Sequence, residues 1–388
     1  MINLKDAILK DKRIILRTDF NVPIIKNIIQ STKRIDSSLK TIKFILEQNP
    51  KQLIIISHLG RPDKYDKNFT LDVIMIYLSK ILNINIPLVS LDDITGKKDL
   101  IILLENIRFY PEETKQLKTT QEFRDKLSTL GDVYINDAFG CCHREHSSIV
   151  GINTKEKYIG FLIEKEIKYL KGSLLTNKEK TLVLGGSKIS DKIRLIENLI
   201  PKVNNILIGG GMAFTFLKFK DINIGNSILD EKNLNIIPNI LSLAEKYNTK
   251  IILPVDFLCN NKFENIGDIK YFTTDTGISD GYMGLDIGKN TIKLFHSILK
   301  SSHVIICNGP LGVFEFDNFS NGSKEILEFI ADLNNSIKVI GGGDIVSCCE
   351  KYNLDLKMNH ISTGGGASLK LLEGKQLHGL DFLSNYYL

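Results

Sequence analysis

The sequence predicts an α/β fold of two doubly wound, Rossmann-like parallel-sheet domains joined by a helix and hinge. Its 388 residues exceed what one hydrophobic core usually supports, so two domains of under about 200 residues each are expected. Short β-rich runs alternate with segments of helical spacing, a pattern typical of parallel sheets wrapped by helices. In the second half, four glycine clusters follow such runs, which indicates several loops at one edge of a sheet.

Nine strands are predicted, four in the first half of the chain and five in the second. Helical spacing separates them, as at the apolar positions Leu39, Ile42 and Ile45. The predicted strands are 13–16, 52–56, 100–104, 132–135, 181–184, 205–208, 250–253, 303–307 and 338–340.

A helix is predicted between the two halves, because Ile163, Ile167 and Leu170 recur at helical spacing. A periodic helix of this kind could equally be an ordinary element of one domain. The predicted division is an N-terminal domain over 1–160, an interdomain helix over 161–175 and a C-terminal domain over 176–374. No Pro-rich or Ser-rich linker occurs, so packed structure is expected to couple the domains.

The composition is that of an ordinary globular protein, with 43% hydrophobic and 24% charged residues. A net charge of +5 is too small to indicate general nucleic-acid binding. The six cysteines form no C-x-x-C pair, which favours a reduced, cytoplasmic location. No apolar run approaches the roughly 20 residues of a membrane span, and the first twelve residues lack the apolar core of a signal peptide. A soluble protein that is not exported is therefore expected.

Basic side chains gather after the predicted strands of the first half. Open α/β sheets bind ligands beyond the carboxyl ends of their strands. Guanidinium groups match phosphate and carboxylate oxygens in pairs, so a small polyanion is the favoured ligand. The candidate residues are Arg34, Arg61, Arg108, Arg144, His58, His143 and His146.

Ordinary structural roles remain open for the same residues. Arg61 and Arg108 could pair with Asp63 or Glu105. His58 or His146 could be a general acid or base, or only a hydrogen-bond donor.

Asp19 and Asn21 have two interpretations. They could orient a substrate hydroxyl, or they could be turn residues that precede Pro23.

The segment Val-Ile-Gly-Gly-Gly-Asp, residues 339–344, predicts a strand, a bare loop and the start of a helix. Backbone N–H groups at a helix N-terminus suit an anion such as phosphate, although glycines here could form only a tight turn. Asp344 would repel phosphate unless a cation intervenes. It therefore indicates Mg²⁺ carried on nucleotide oxygens, or alternatively a cap on the helix.

Two further segments of the second half carry candidate residues. Lys188 and Lys192 lie four apart after a glycine turn, on one face if a helix begins there, where they could hold phosphate oxygens or face solvent. Glu315 follows a predicted strand and could accept from ribose hydroxyls or be an exposed loop acid. Neither a Walker-type G-x-x-x-x-G-K-[ST] segment nor G-x-G-x-x-G occurs, which argues against a P-loop enzyme and a dinucleotide dehydrogenase.

Nine segments, in order, closely resemble the phosphoglycerate kinase family from Arg17 almost to the C-terminus. They are Asp-Phe-Asn-Val-Pro (19–23), Ser-His-Leu-Gly-Arg-Pro (57–62), Leu-Glu-Asn-Ile-Arg-Phe (104–109), Asn-Asp-Ala-Phe-Gly (136–140), Leu-Gly-Gly-Ser-Lys (184–188), Gly-Gly-Gly-Met-Ala-Phe-Thr-Phe (209–216), Asn-Gly-Pro (308–310), Gly-Gly-Gly-Asp (341–344) and Ser-Thr-Gly-Gly-Gly-Ala-Ser (362–368).

The resemblance implies reversible phosphoryl transfer from 1,3-bisphosphoglycerate to ADP, giving 3-phosphoglycerate and ATP with Mg²⁺, in glycolysis. It implies that a hinge closes two domains and that residues 375–388 return to the first. Neither a nucleic-acid nor a membrane partner is expected. The protein is expected to be a monomer. The implied glycerate-binding residues are Asp19, Asn21, Arg34, His58, Arg61, Arg108 and Arg144. The implied nucleotide-binding residues are Lys188, Lys192, Gly210, Gly211, Asn308, Glu315, Gly341, Gly342, Gly343, Asp344 and Ile345. Arg34, Lys188 and Gly343 would be catalytic, and Asp344 would steady Mg²⁺ through the nucleotide.

Three departures from the family pattern accompany the resemblance. Ile345 stands where the family usually has threonine or serine, so weaker phosphate binding is expected there. Cys141 and Cys142 replace residues that are usually small and uncharged, and their thiols lie beside His143 and Arg144 in the sequence, which could sensitise the site to oxidation. Lys289 stands where proline is common, so a looser loop is expected.

Two other functions remain compatible with the residues. One is a nucleotide-binding sensor or scaffold of the same fold that has lost turnover, as Ile345 suggests. The other is a nucleic-acid-binding protein, which rests only on the arginine cluster.

Overall fold

The computed structural model describes residues 4–384, and these divide into two compact units. The first unit holds the chain up to Ile167 together with the segment from Gln376 onward. The second unit is Lys168–Lys375. The chain therefore passes between the units twice, once within a helix and once near its end.

The first unit contains a six-stranded parallel sheet with the order β5-β6-β4-β1-β7-β8, and a small antiparallel hairpin, β2-β3. Its strands are β1 Arg13–Arg17, β2 Ile24–Ile25, β3 Ile28–Ile29, β4 Gln52–Ile56, β5 Leu88–Val89, β6 Ile101–Leu104, β7 Val133–Asn136 and β8 Glu156–Ile159. The helices of this part of the chain are α1 Lys33–Glu47, α2 Asp72–Leu82, α3 Gln121–Ser128, α4 Ser147–Val150 and α5 Phe161–Leu170.

The strands of this sheet are apolar at consecutive positions because both faces are covered. In β1, Ile14 and Leu16 pack into one cluster with residues of α1 and α2. The intervening Ile15 points the other way, into a cluster that contains residues of α3. All three side chains are fully buried. Helices on both faces make the sheet doubly wound, as the sequence predicts.

The second unit repeats this plan with a parallel sheet of the order β11-β10-β9-β15-β16-β17. Its strands are β9 Lys180–Leu184, β10 Asn205–Ile208, β11 Lys250–Ile252, β12 Asp256–Asn260, β13 Lys270–Thr273, β14 Met283–Ile287, β15 Val304–Asn308, β16 Ile337–Ile340 and β17 His360–Ile361. Its helices are α6 Ile193–Leu199, α7 Met212–Phe219, α8 Ile237–Lys246, α9 Lys289–Leu299, α10 Asn321–Asp332, α11 Gly343–Lys351 and α12 Gly366–Leu372.

An antiparallel sheet of three strands, β13-β12-β14, lies outside the predicted pattern. Phe257 of β12 packs against Phe214 of α7 with ring centroids 5.0 Å apart, which anchors the sheet to the unit. The sequence did not reveal β13, since all four of its residues are exposed or half-buried and form no continuous apolar run.

The predicted interdomain helix over 161–175 is too long. The α-helix ends at Leu170, and a separate 3-10 turn occupies Gly172–Leu175. A glycine is a poor helix former because it loses the most backbone freedom, which explains the early end. The boundary between the units falls inside α5, after Ile167.

The segment after Gln376 forms a last helix, α13 His378–Ser384, in the first unit. The Gly379 N–H donates to the Cys142 carbonyl over 2.9 Å. Leu383 is fully buried in the cluster that also contains residues of α3. Residues 385–388 of the predicted returning tail lie outside the described residues.

Within residues 4–384, none of the helices combines the length and the apolar character that crossing a membrane requires.

Candidate functional site

Four neighbouring strands of the first sheet, β6, β4, β1 and β7, end at the same edge. The candidate glycerate residues follow these strand ends in the sequence, with the exception of Arg34. Arg34 is instead the second residue of α1. The parallel register therefore gathers segments that are more than 100 residues apart in the sequence.

Asp19 and Asn21 fix the loop after β1. The Asn21 N–H donates to Asp19 Oδ1 over 3.1 Å, and the Gly60 N–H donates to Asn21 Oδ1 over 2.9 Å. Arg34 Nη1 donates to the Asn21 carbonyl over 2.9 Å and lies 3.6 Å from Asp19 Oδ2. Asp19, Asn21 and Arg34 thus form one cluster. In this position Asp19 and Asn21 could stabilise the turn, orient a ligand, or do both.

Arg108 does not pair with Glu105. Its Nη1 donates to the Gly60 carbonyl, while Glu105 accepts from the Leu71 and Asn106 backbone N–H groups over 3.0 and 2.7 Å. The Arg108 side chain is buried, and its Nε has no hydrogen-bond partner among the described residues. A buried donor without a partner marks a place where a ligand oxygen could bind.

Arg61 is exposed and Arg144 is half-buried. Neither has an ion pair within residues 4–384, so the alternative pairing of Arg61 with Asp63 is not formed. Both guanidinium groups are available to an anionic ligand.

The two buried histidines of this edge are neutral at physiological pH. Burial lowers the pKa of His58 well below its usual range, and the charges of Arg17 and Arg108 lower it further. Burial, with Arg108 and Arg17 again, lowers the pKa of His146 to about 3. A neutral imidazole can donate one hydrogen bond, so these two residues fit substrate binding better than proton release. His143 is half-buried beside them in the sequence.

Sequence reasoning missed a buried network behind these residues. Arg17, the last residue of β1, is fully buried, and its Nε donates to Ser148 Oγ over 2.7 Å. Ser148 Oγ donates to Glu113 Oε1 over 2.7 Å, and Arg17 Nη2 lies 3.7 Å from the same carboxylate oxygen. His146 Nδ1 is also 3.7 Å from Glu113. The available signal was an arginine that directly continues an apolar strand.

The edge carries more positive than negative charge. Glu113 faces Arg17, and Asp19 faces Arg34, which leaves Arg61, Arg108 and Arg144 without a carboxylate partner among the described residues. The charges of Arg108 and Arg144 repel each other, since Arg144 is among the groups that lower the pKa of Arg108, so an anion would stabilise the cluster. A small molecule with phosphate and carboxylate groups fits this surplus.

The expectation of oxidation-sensitive cysteines beside this cluster is not supported. Cys141 and Cys142 are buried, and burial raises the pKa of the Cys141 thiol to about 12 and that of Cys142 well above its usual range. The reactive form of cysteine is the thiolate, which is scarce here.

Cys141, His58 and Asp19 could in principle hold a metal ion, since one potential ligand atom of each lies within 4.8 Å of the others. The nearby positive charges of Arg17 and Arg108, which lower the pKa of His58, would also repel a bound metal ion. The cluster therefore fits an anion site better than a metal site.

In the second unit, a cavity of about 520 Å³ lies beside the loops that follow β9, β10 and β15. Its walls are mainly apolar with a few polar groups, as is usual for sites that bind small molecules. Predicted nucleotide residues Gly210, Gly211, Glu315 and Asp344 line it. The apolar lining includes Phe214, Ile228, Phe257, Leu285, Leu311 and Val313.

Glycines let these loops pack closely at the cavity. A Cβ at Gly185 would lie 1.8 Å from the Pro310 carbonyl oxygen, which no side chain could tolerate. Gly210 has a φ of +62°, and its Cβ would meet Gly186 oxygen at 2.7 Å. Gly209 to Gly211 therefore have a packing reason to be glycine besides any contact with a ligand.

The loop from Gly341 to Gly343 has open space beside it. Gly342 has a φ of +112° and is the N-cap of α11, and a Cβ at Gly343 would meet nothing within 4 Å. The first N–H groups of α11 lack intrahelical partners by geometry, so an anion could approach them closely.

Asp344 and Ile345 both lie in the first turn of α11. Asp344 is an exposed residue of the first turn of α11, and Gly342 takes the N-cap position that was predicted for the carboxylate. Ile345 is only 3% exposed and packs in the core cluster with α9 and α10. Only the backbone N–H of Ile345 is therefore left for a phosphate.

Lys188 and Lys192 do not share an α-helix face. They flank a 3-10 turn at Ile189–Asp191, and α6 begins only at Ile193. Lys188 is exposed.

Lys192 is tied to the glycine loop. Lys192 Nζ donates to Asn308 Oδ1, and Asn308 Nδ2 donates to the Gly341 carbonyl over 2.6 Å. Burial lowers the pKa of Lys192. Asn308 thus links a lysine to the loop that precedes α11.

The residues present fit Mg²⁺ carried by a nucleotide. Magnesium prefers oxygen ligands and is usually held by one or two carboxylates together with substrate phosphates. Asp344 supplies one exposed carboxylate that lines the cavity, next to the open space at Gly343.

Comparisons with known proteins agree with this arrangement. The family profile "Phosphoglycerate kinase" matches residues 4–375. Phosphoglycerate kinases of Aspergillus oryzae and Drosophila melanogaster are each 43% identical to the chain, covering 98% of both proteins in the first case and 99% of both in the second. The solved structure of phosphoglycerate kinase from Coxiella burnetii superposes with a TM-score of 0.92 at 32% identity, over 99% of each chain.

The protein is thus an enzyme, a transferase of the kinase type. The chain belongs to the phosphoglycerate kinase family, whose reaction is part of glycolysis. The resemblance and the fold class predicted from the sequence are both confirmed.

The low pKa of His146 gives a testable prediction. Its folded-state pKa of about 3 lies below its ordinary value of 6.5, so the imidazole stays neutral at pH 5, where free histidine is mostly protonated. Because the unfolded chain binds this proton more readily, the free energy of unfolding should fall as the pH drops from about 6.5 towards 3. ¹⁵N spectra of histidine-labelled protein between pH 8 and 4 measure the titration, and His146→Gln identifies the resonance. A His146 midpoint near 6.5 would show the prediction to be wrong.

Proposed function

We propose that this enzyme reversibly transfers the acyl phosphate of 1,3-bisphosphoglycerate to ADP, which gives 3-phosphoglycerate and ATP. The observation that carries the proposal is the surplus of arginines at the edge of the first sheet, since Arg61, Arg108 and Arg144 lack carboxylate partners among the described residues. A ligand with a phosphate at one end and a carboxylate or acyl phosphate at the other matches such a cluster.

In this proposal the first unit holds the glycerate ligand. Arg61, Arg108 and Arg144 bind the phosphate oxygens, and the neutral His58 donates a hydrogen bond to a substrate oxygen. Asp19 and Asn21, already fixed by the Gly60 N–H and by Arg34, orient the substrate hydroxyl.

The second unit holds the nucleotide. The apolar cavity accepts the base, with Gly210 and Gly211 at its wall, and Glu315 accepts from the ribose hydroxyls. Gly341, Gly342, Gly343 and the Ile345 N–H surround the phosphates, with Lys188, Lys192 and Asn308 at their flank. When bound, Mg²⁺ would neutralise phosphate charge, and Asp344 would hold it.

The chemistry needs positioning more than covalent help. During phosphoryl transfer, charge spreads over the equatorial oxygens of the migrating group, and fixed donors that face those oxygens lower the barrier. We assign this role to the Arg34 guanidinium, the Lys188 ammonium group and the Gly343 N–H. No general base is required, which agrees with the low pKa values of His58 and His146.

We further infer that the units close about a hinge, because the proposed glycerate and nucleotide residues belong to different units. Closure would exclude water, which competes for the acyl phosphate. Small-angle scattering should show a smaller radius of gyration when 3-phosphoglycerate and Mg-ATP are both present than with either alone. An unchanged radius with both ligands would contradict closure.

We also propose that the enzyme acts as a monomer in the cytoplasm on these small-molecule substrates alone. Neither a nucleic-acid nor a membrane partner is needed for the reaction.

The decisive experiment is a coupled assay of ATP formation from 1,3-bisphosphoglycerate and ADP, with GDP in parallel. Turnover by the purified full chain, with a known phosphoglycerate kinase as control, is the expected result. Tight binding of Mg-ADP without turnover would instead support a nucleotide sensor. The burial of Ile345 in the core argues against that alternative, because its side chain has a packing role that leaves the backbone N–H in place.

Two variants test the transition-state roles. Arg34→Ala and Lys188→Ala should each lower kcat by about 10²- to 10³-fold and change KM much less, since the lost interactions are strongest in the transition state. Lys43→Ala, an exposed lysine on the same helix as Arg34, is the matched control and should leave both constants unchanged. Losses confined to KM would remove these residues from the transition state.

A further inference from the structure

A second cavity of the second unit takes no part in the proposed reaction. Its volume is about 240 Å³. The C-terminal ends of α5, α6 and α12, with the turns that follow them, form its wall. Residues from Leu170 to Leu175, from Asn198 to Lys202 and from Leu371 to Lys375 contribute to the lining.

Leucines make one side of this cavity apolar. Leu170 and Leu372 are buried, and Leu174 and Leu371 are half-buried on its surface. Leu175 also lines the cavity, yet 79% of it is exposed. Water solvates such a surface poorly, so an apolar group that entered the cavity would be stabilised.

Lysines provide the charge of this cavity, and none of the acidic residues in the described part of the chain lines it. Lys375 Nζ lies 2.6 Å from Glu373 Oε2, so that pair is internally balanced. Lys171 and Lys202 have no carboxylate partner among the described residues, and Lys202 Nζ donates only to Asn198 Oδ1, over 2.9 Å. Both lysines are exposed at the cavity, and partial burial together with the charge of Lys171 lowers the pKa of Lys202, so the two charges repel each other.

A favourable interaction with helix ends explains only part of this arrangement. Lysines near helix C-termini interact well with the helix dipole. That interaction requires neither an apolar cavity between the helices nor two lysines without carboxylate partners in its lining. Both features match a ligand with an apolar part and a single anionic end.

The wall between α6 and α12 is fixed by close contacts. Asn198 Nδ2 donates to the Leu372 carbonyl. Gly374 has a φ of +71°, and a Cβ there would lie 2.6 Å from Asn198 Oδ1, so only glycine fits. The cavity therefore exists before any ligand binds, which lowers the entropic cost of binding.

Its place in the chain gives the cavity a further property. Leu170 to Leu175 follow directly after the first passage between the units, and Leu371 to Lys375 precede the second. A ligand in this cavity would contact both connecting segments at once and would restrict their motion.

We propose that this cavity binds a small anionic amphiphile, a carboxylate or phosphate monoester with a short alkyl chain. Lys171 and Lys202 hold the anion, and Leu170, Leu174 and Leu371 cover the chain. This site is separate from the proposed glycerate and nucleotide residues and does not depend on the proposed function.

Calorimetric titration of the full chain tests the site, with hexanoate and hexyl phosphate as probes and 1-hexanol as the uncharged comparison. The titrations are run with and without saturating 3-phosphoglycerate and ADP, so that any binding of the probes at the arginine cluster is recognised by its loss. Both anionic probes should bind, and 1-hexanol should bind at least about tenfold more weakly. If only one anionic probe binds, the ligand is restricted to that headgroup. If neither binds, the proposal is overturned.

Variants locate the binding. Lys171→Gln with Lys202→Gln should weaken hexanoate at least about tenfold, whereas Lys178→Gln, an exposed lysine outside the cavity lining, should not change it. Leu174→Asn tests the apolar part separately. Bound hexanoate should also slow hydrogen exchange in residues 168–175 and 371–375. Equal binding by the double lysine variant, or no slowing of exchange in both segments, would place the probe elsewhere and contradict the proposal.

Discussion

The site of the first unit depends on one buried ion pair, that between Arg17 and Glu113. Both side chains are fully buried, and Ser148 bridges them with hydrogen bonds to each. A buried pair of this kind contributes little net stability, yet removal of one partner typically costs about 3–5 kcal/mol because the other charge is left unpaired. The network joins the end of β1 to α4 and to the 3-10 turn Pro111–Glu113. Glu113 lies 3.7 Å from His146 Nδ1, and the charge of Arg17 lowers the pKa of His58, so the network supports the proposed anion-binding residues.

The charge of this network also sets the protonation of the edge. Glu113 compensates Arg17 at short range, but burial and the surrounding arginines still hold the pKa of His146 near 3 and that of His58 well below its usual range. A site with this surplus of positive charge is expected to bind anionic ligands most strongly. The same positive field disfavours a metal ion at Cys141, His58 and Asp19, although their geometry would otherwise permit one.

The sequence predicts the parallel sheets well, because strands covered on both faces are continuous apolar runs. Gln52–Ile56 and Asn205–Ile208 have the predicted bounds, and the other seven predicted strands differ by one residue at an end or at both ends. The sequence does not predict β13, because its residues are exposed or half-buried and form no continuous apolar run. Most candidate residues could be named because they follow strand ends, and parallel strands bring those ends together.

The details of the site were harder to predict, because they depend on contacts between distant segments. The sequence does not reveal that Asn308 links Lys192 to Gly341, or that Arg108 donates to Gly60 and not to Glu105. From the sequence alone, Ile345 is interpreted as the replacement of a phosphate-binding hydroxyl residue in a loop. In the structure the Ile345 side chain packs in the core of the second unit, while its backbone N–H belongs to the first turn of α11, next to the glycine loop.

The last helix has a consequence for the order of synthesis. Leu383 is fully buried in a core whose other members lie between Ile15 and Ile152, so this core is incomplete until the end of the chain is available. During translation, part of the apolar surface of the first unit stays uncovered while the second unit, more than 200 residues long, is synthesised. The second unit is continuous in sequence and has no such requirement. The domain that is synthesised first is therefore the one that is completed last.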